Sequence, residues 1–186
     1  MKKVLIFFGS YGGGHRSAAN ASKNYIDENY KDTKTEMVDC IEYINKALNK
    51  LTTKAYTDMA KKAPWAWKKV YYGSQKGIIS KVSNASNYLM SSKLLKLIKH
   101  EAPDLIVSTH PFSSQMCAIL RKRKMLTCKV ATVMTDFHIH NQWTVHSDYV
   151  DYFFVSNEQM KEDLIKNGIY SFKVFVTGIP ISQRFL

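Results

Sequence analysis

"FFGSYGGGHRSAA" (7–19) is the stretch whose reading decides the fold of this chain. An apolar run ends in glycine, three consecutive glycines follow, and a histidine stands where an alanine-rich segment begins. Residues 4–8 are apolar without a polar break, as in a strand buried on both faces. Residues 16–29 read as a helix that starts at the glycine loop.

The same alternation recurs downstream. Residues 35–38 read as a short second strand, and residues 41–100 as several helices without strand signals. "PDLIVSTHP" (103–111) is a buried strand with a proline-marked exit, followed by helix over 112–124. "KVATVMTD" (129–136), "DYFFVSN" (151–157) and "KVFVTGIPI" (173–181) supply three more strands, with a helix over 158–166. This order predicts an α/β fold: one doubly wound, mostly parallel Rossmann-like sheet with a helical insert. At 186 residues the chain is long enough for one domain with a sizeable core.

In such sheets ligands bind beyond the carboxyl ends of the strands. Those exits read GSYGGGH, STHPF, TDFHIHNQW and TGIP, and five of the six histidines lie in or near them. The glycine loop is not a P-loop, because no Gly-Lys-Ser/Thr follows. It also lacks the GxGxxG spacing, and Asp39 is poorly placed to hold a ribose, so no dinucleotide cofactor is expected. Glycine permits close approach of a ligand to the backbone, and a helix start offers free N–H groups and a positive dipole end. At that dipole end His15 should be neutral, and a neutral imidazole can accept a proton. Asp136, at the exit of another strand, is the acid expected to orient it. No metal site is expected, although His138 and His140 form a His-x-His pair.

The net charge of +12 points to a polyanionic partner. "KKAPWAWKKVYYGSQKG" (61–77) interleaves Trp65, Trp67, Tyr71 and Tyr72 with lysines that include Lys68 and Lys69, the composition of a segment at an anionic bilayer surface. Leu89, Leu94, Leu95, Leu97 and Ile98 have helical spacing and read as a core face. No RNP, KH, zinc-finger or helix-turn-helix pattern is evident, so nucleic acid is not the expected partner. VLIFF is too short for a secretory signal core, and no run of about 18 apolar residues occurs to span a membrane. Cys40, Cys117 and Cys128 have no metal-ligand spacing and read as reduced thiols of a cytosolic protein.

Taken in order, GGGHRSAA, STHPF, TDFHIHNQW, YFFVSNE and VTGIPI resemble the N-terminal half of the monogalactosyldiacylglycerol synthase and processive diacylglycerol glucosyltransferase family. Murein lipid-intermediate GlcNAc transferases are more distant relatives with a similar glycine loop. The resemblance implies one half of a GT-B fold and transfer of a hexose from a UDP-sugar to diacylglycerol with inversion. It implies that the histidine after the glycines, His15, is the general base. From strand-exit position, Ser10, Tyr11, Gly12, Gly13, Gly14, His110, Pro111, Phe112, Phe137 and Trp143 are expected to line the acceptor site. No cofactor is expected, the UDP-sugar being a substrate bound mainly by a C-terminal half. Leu186 follows TGIPI closely, so the expectation is an acceptor half without that donor half. Such a chain would sit peripherally on the cytoplasmic face of the cell membrane. The alternative is a non-catalytic Rossmann-like module that binds a membrane or a partner subunit.

The acceptor-half reading and the membrane-binding form of the alternative predict that the chain sediments with liposomes only when they contain anionic lipid, and that salt weakens the binding steeply. For the acceptor-half reading, diacylglycerol should strengthen it.

Overall fold

The structure, a computed structural model, describes residues 1–10, 13–47, 50, 54 and 78–185. The basic aromatic stretch 61–77, with Trp65, Trp67, Lys68, Lys69, Tyr71 and Tyr72, lies outside the described residues, as do Tyr11 and Gly12. In chain order the elements are β1 (Lys2–Phe8), α1 (Gly14–Asn29), β2 (Thr33–Asp39), α2 (Cys40–Ile44), α3 (Ile78–Glu101), β3 (Leu105–Ser108), α4 (Pro111–Lys122), β4 (Lys129–Val133), β5 (Tyr152–Val155), α5 (Glu158–Lys166) and β6 (Val174–Val176). Short 3₁₀ turns connect several of them.

The strands form one sheet, parallel at every pairing, in the order β2-β1-β3-β4-β5-β6. The chain steps from β1 outward to β2, then crosses back to place β3 on the other side of β1. The topological switch therefore lies between β1 and β3, where the helices leaving the two strands pack on opposite faces of the sheet.

Alternation along the strands fills two cores. Leu5, Phe7, Ile106, Val130, Phe153, Val155 and Val174 face one side. There they meet Ile41 of α2, Leu94 and Ile98 of α3, Met116 and Leu120 of α4, and Met160 and Leu164 of α5. Val4, Ile6, Val107, Ala131 and Val133 face the other side, packed against Ala19 of α1. The central strands β1, β3 and β4 carry runs of buried residues because both of their faces are covered, whereas the edge strand β2 is mostly polar. The expected stripe on α3 is core at Leu94, Leu95 and Ile98, with Leu97 partly buried against it. Cys40 and Cys117 are buried and Cys128 partly so, none in a disulfide. Burial raises all three thiols, Cys128 to about 11, which leaves them unreactive near neutral pH.

Several helix starts are set by local sequence. Asp39 ends β2 and caps α2 by accepting from the amides of Ile41 and Glu42 at 3.0 Å. Asn157 caps α5 by accepting from Met160 N–H at 2.9 Å. Pro111 occupies the first turn of α4, where a missing N–H costs nothing. The basic run 121–124 begins in the last turn of α4, and Arg121 there pairs with Asp151 at 2.9 Å. No helix among the described residues is long and apolar enough to cross a membrane.

Ile106 stands at the centre of the sheet with no exposed surface. Ile106→Ala should cost about 2–5 kcal/mol in urea denaturation, the range for truncating a buried aliphatic side chain in a core that cannot fully collapse.

Candidate functional site

Main-chain pairing continues past the ends of the central strands and brings three exits together. Thr109 N–H donates to Phe7 O at 2.9 Å, and Met134 N–H donates to Phe154 O at 2.9 Å. These bonds set Thr109 and Thr135 just above the sheet edge, beside the start of α1. Gly14 opens that helix without a side-chain cap, and His15 stands in its first turn.

His15 is partly buried at the switch point. Its Nδ1 lies 2.6 Å from the Thr109 carbonyl oxygen and 2.8 Å from Thr135 Oγ1. A carbonyl only accepts, so Nδ1 carries the proton and donates it. Nε2 is then the basic nitrogen. Burial lowers the His15 pKa below the ordinary 6.5, with the Thr109 carbonyl and the charge of Asp136 opposing that shift. The leading cause is desolvation by burial. The result is a neutral imidazole near pH 7 with a fixed tautomer.

His110 lies beneath it. The two rings meet edge to face with centroids 4.5 Å apart, and His110 is buried. Its Nδ1 accepts from Phe112 N–H at 3.2 Å, which caps α4 and places its own proton on Nε2. Burial, with His15 adding to it, keeps His110 well below the ordinary pKa. Room for this ring comes from Gly9, where a Cβ would stand 2.8 Å from His110 Cδ2. The close approach that glycine permits is therefore made at Gly9, in the same β1 exit just before the triplet. At Gly13 and Gly14 a Cβ would meet nothing among the described residues.

The other expected residues take varied places. Ser10 donates a hydrogen bond to Asp39, so both are engaged with each other at the β1 and β2 exits. Phe112 packs 5.0 Å from His110. Pro111 is partly buried at the α4 start, and Phe137 is exposed beyond β4. Trp143 is buried rather than surface-lining, with its ring 6.3 Å from His15. Its indole N–H donates to Asp136 Oδ2 at 2.5 Å. Asp136 is thereby anchored near His15 and acts on it through charge, while the hydrogen bonds to the ring come from Thr109 and Thr135. Those two threonines were not singled out from the sequence. The available signal was a threonine one or two residues past a buried strand that ends at the site. His138 is exposed, whereas His140 is buried and its Nδ1 accepts from Gln142 N–H at 3.2 Å. Among the described residues no group of three or more His, Cys, Asp and Glu is arranged to hold a metal.

A parallel six-stranded sheet with its switch point between β1 and β3 has the architecture of one half of a GT-B protein. It superposes on the lipopolysaccharide outer core galactosyltransferase WaaB in its apo form with a TM-score of 0.56 and 16% identity, covering 95% of this chain and 45% of that one. For UDP-GlcNAc 2-epimerase from Methanocaldococcus jannaschii the TM-score is 0.55 at 14% identity, covering 96% of this chain and 46% of that one. At these identities the likeness is one of fold.

The family model described as monogalactosyldiacylglycerol (MGDG) synthase matches residues 15–181, and the chain belongs to that family. It is 30% identical over 186 residues to a processive diacylglycerol beta-glucosyltransferase of Staphylococcus carnosus (strain TM300), covering 99% of this chain and 46% of the relative. A relative of the same description from Staphylococcus aureus (strain MRSA252) is 31% identical over 185 residues, with the same coverage of 99% and 46%. The chain spans about half the length of the curated relatives it matches.

His15 and His110 both have lowered pKa values in the fold. An unfolded chain takes up protons at these rings near pH 6.5, and the folded chain resists them until lower pH. Their contribution to stability is thus fully present above pH 6.5 and is lost as pH falls below it. Denaturant midpoints should decline between pH 7.5 and 5.5, before carboxylates titrate, and His15→Asn should flatten that decline.

Proposed function

We propose that this chain is the acceptor-binding, membrane-docking half of an inverting glycosyltransferase that transfers a hexose from a UDP-sugar to diacylglycerol, with His15 as general base. The observation that carries this reading is the Nδ1–H bond from His15 to the Thr109 carbonyl, at 2.6 Å. It leaves Nε2 as a proton acceptor, on a ring that burial keeps neutral. A primary hydroxyl is a poor nucleophile, and a positioned base removes its proton as it attacks.

In the proposed step Nε2 takes the hydroxyl proton of the acceptor while its oxygen bonds to the anomeric carbon. The bond from that carbon to the diphosphate oxygen breaks, and UDP leaves with the electron pair. The imidazolium so formed is stabilised by the charge of Asp136, held in place by the Trp143 indole. The open first turn of α1, uncapped at Gly13, offers amides and a positive dipole end toward negative charge. Gly13 and Gly14 border the substrate in this reading, with Phe112 and Phe137 as apolar surface for the lipid.

The names of the staphylococcal relatives support diacylglycerol as acceptor. The donor is bound mainly by a second half, as the relatives' greater length suggests. The Trp- and Lys-rich composition of 61–77, with the net charge of +12, supports docking on anionic lipid at the cytoplasmic face.

In this chain joined to a donor half, His15→Ala should lower transfer by about 10²–10⁴-fold, the usual contribution of general base catalysis. Liposome binding should persist. Unchanged turnover would overturn the base assignment.

A further inference from the structure

Two threonines, rather than a carboxylate, make the hydrogen bonds that hold the His15 ring. We infer that Thr109 and Thr135 are positioning residues that fix the His15 tautomer and favour its protonated form, a role that rests on the general-base reading for its use in catalysis but not for its test.

Thr109 holds His15 at two points. Its carbonyl accepts from the ring Nδ1, and its hydroxyl donates to the His15 main-chain carbonyl at 2.9 Å. The same hydroxyl lies 3.3 Å from Phe7 O, and Thr109 N–H also bonds Phe7 O. Thr109 itself has no exposed surface. One residue thereby ties the end of β1, the end of β3 and the first turn of α1. This arrangement sets both the direction of the ring and the level of the helix that carries it.

Thr135 approaches from β4. With Nδ1 protonated it has no lone pair for a donor, so its single hydrogen is shared in a three-centre bond between the Thr109 carbonyl and the Thr135 oxygen, which lies at 2.8 Å. Nδ1 keeps that hydrogen in both protonation states of the ring. When Nε2 gains a proton, the ring becomes cationic and both bonds become charge-assisted. The pair therefore favours the imidazolium over the neutral ring while leaving Nε2 as the nitrogen that exchanges protons. Among the described residues, the titratable groups facing His15 are His110 from the β3–α4 junction, whose own pKa His15 lowers, and Asp136 from the loop after β4, whose charge raises that of His15. Arg16 follows on α1 with its guanidinium directed over the Phe8 ring, 5.9 Å from the centroid.

The test is NMR of the full chain with ¹⁵N-labelled histidine, the His15 signals being identified by their loss in His15→Asn. In the wild-type chain at pH 7.5, His15 should carry its proton on Nδ1. Thr135→Val should lower the His15 pKa by about half to one unit, the scale of the difference between a hydrogen bond to a charged and to a neutral group. Thr135→Ser should restore it. A proton on Nε2 in the wild-type ring would overturn the inference without any variant. So would a His15 titration unmoved by Thr135→Val. A shifted titration beside full transfer activity in His15→Ala would uphold the positioning role and overturn the general-base reading.

Discussion

The hydrogen bond from His15 Nδ1 to the Thr109 carbonyl closes the β1/β3 switch point, and the site is organised around it. It joins residues 94 positions apart in sequence. It is possible only because β1 and β3 are adjacent, parallel and in a register that pairs Phe7 with Ser108. A shift of one residue would exchange the two faces of β3 and move Ile106 and Val107 into each other's cores. The apolar packing on both sides of the sheet therefore enforces the geometry of a polar contact at its rim.

That contact lies in an unusually polar layer. Ser108, Thr109, His110, Ser113, Ser114, Gln115, Thr132, His140 and Gln142 are all buried around the strand exits. Many are bonded to one another: Ser114 Oγ lies 2.7 Å from Thr132 Oγ1, and Gln115 Nε2 donates to Gln142 O at 2.6 Å. Buried polar groups are costly unless paired, and paired groups specify a single arrangement. Below the layer the cores are apolar and stabilise the fold. Within it, geometry is held at the expense of some of that stability.

The two histidines share a burial mechanism but differ in role because their Nδ1 atoms face different partners. His15 meets a carbonyl, so its Nδ1 is protonated. His110 meets an amide, so its Nδ1 is bare. Opposite tautomers follow in rings only 4.5 Å apart. Desolvation keeps both neutral, and Asp136, fixed by Trp143, acts on His15 from a distance. A direct Asp–His bond is replaced by an anchored charge and two neutral acceptors.

From sequence alone the doubly wound sheet was legible, because consecutive apolar residues between glycine- and proline-marked exits identify strands buried on both faces. The helix at 158–166 was legible to the residue, since Asn157 is a local cap. Strand ends were less so: the run 173–181 contributes sheet only at Val174–Val176, because pairing with β5 stops there and Gly178 turns at φ 78°. The position of His15 at the start of a helix was legible from its place after the glycines. Its orienting groups were not, since a backbone carbonyl leaves no mark in sequence and a threonine hydroxyl resembles any other. Periodicity and turn chemistry act over a few residues and so determined the elements. Which atoms meet across 94 and 120 residues, and hence which nitrogen of His15 is basic, was decided by packing and register alone.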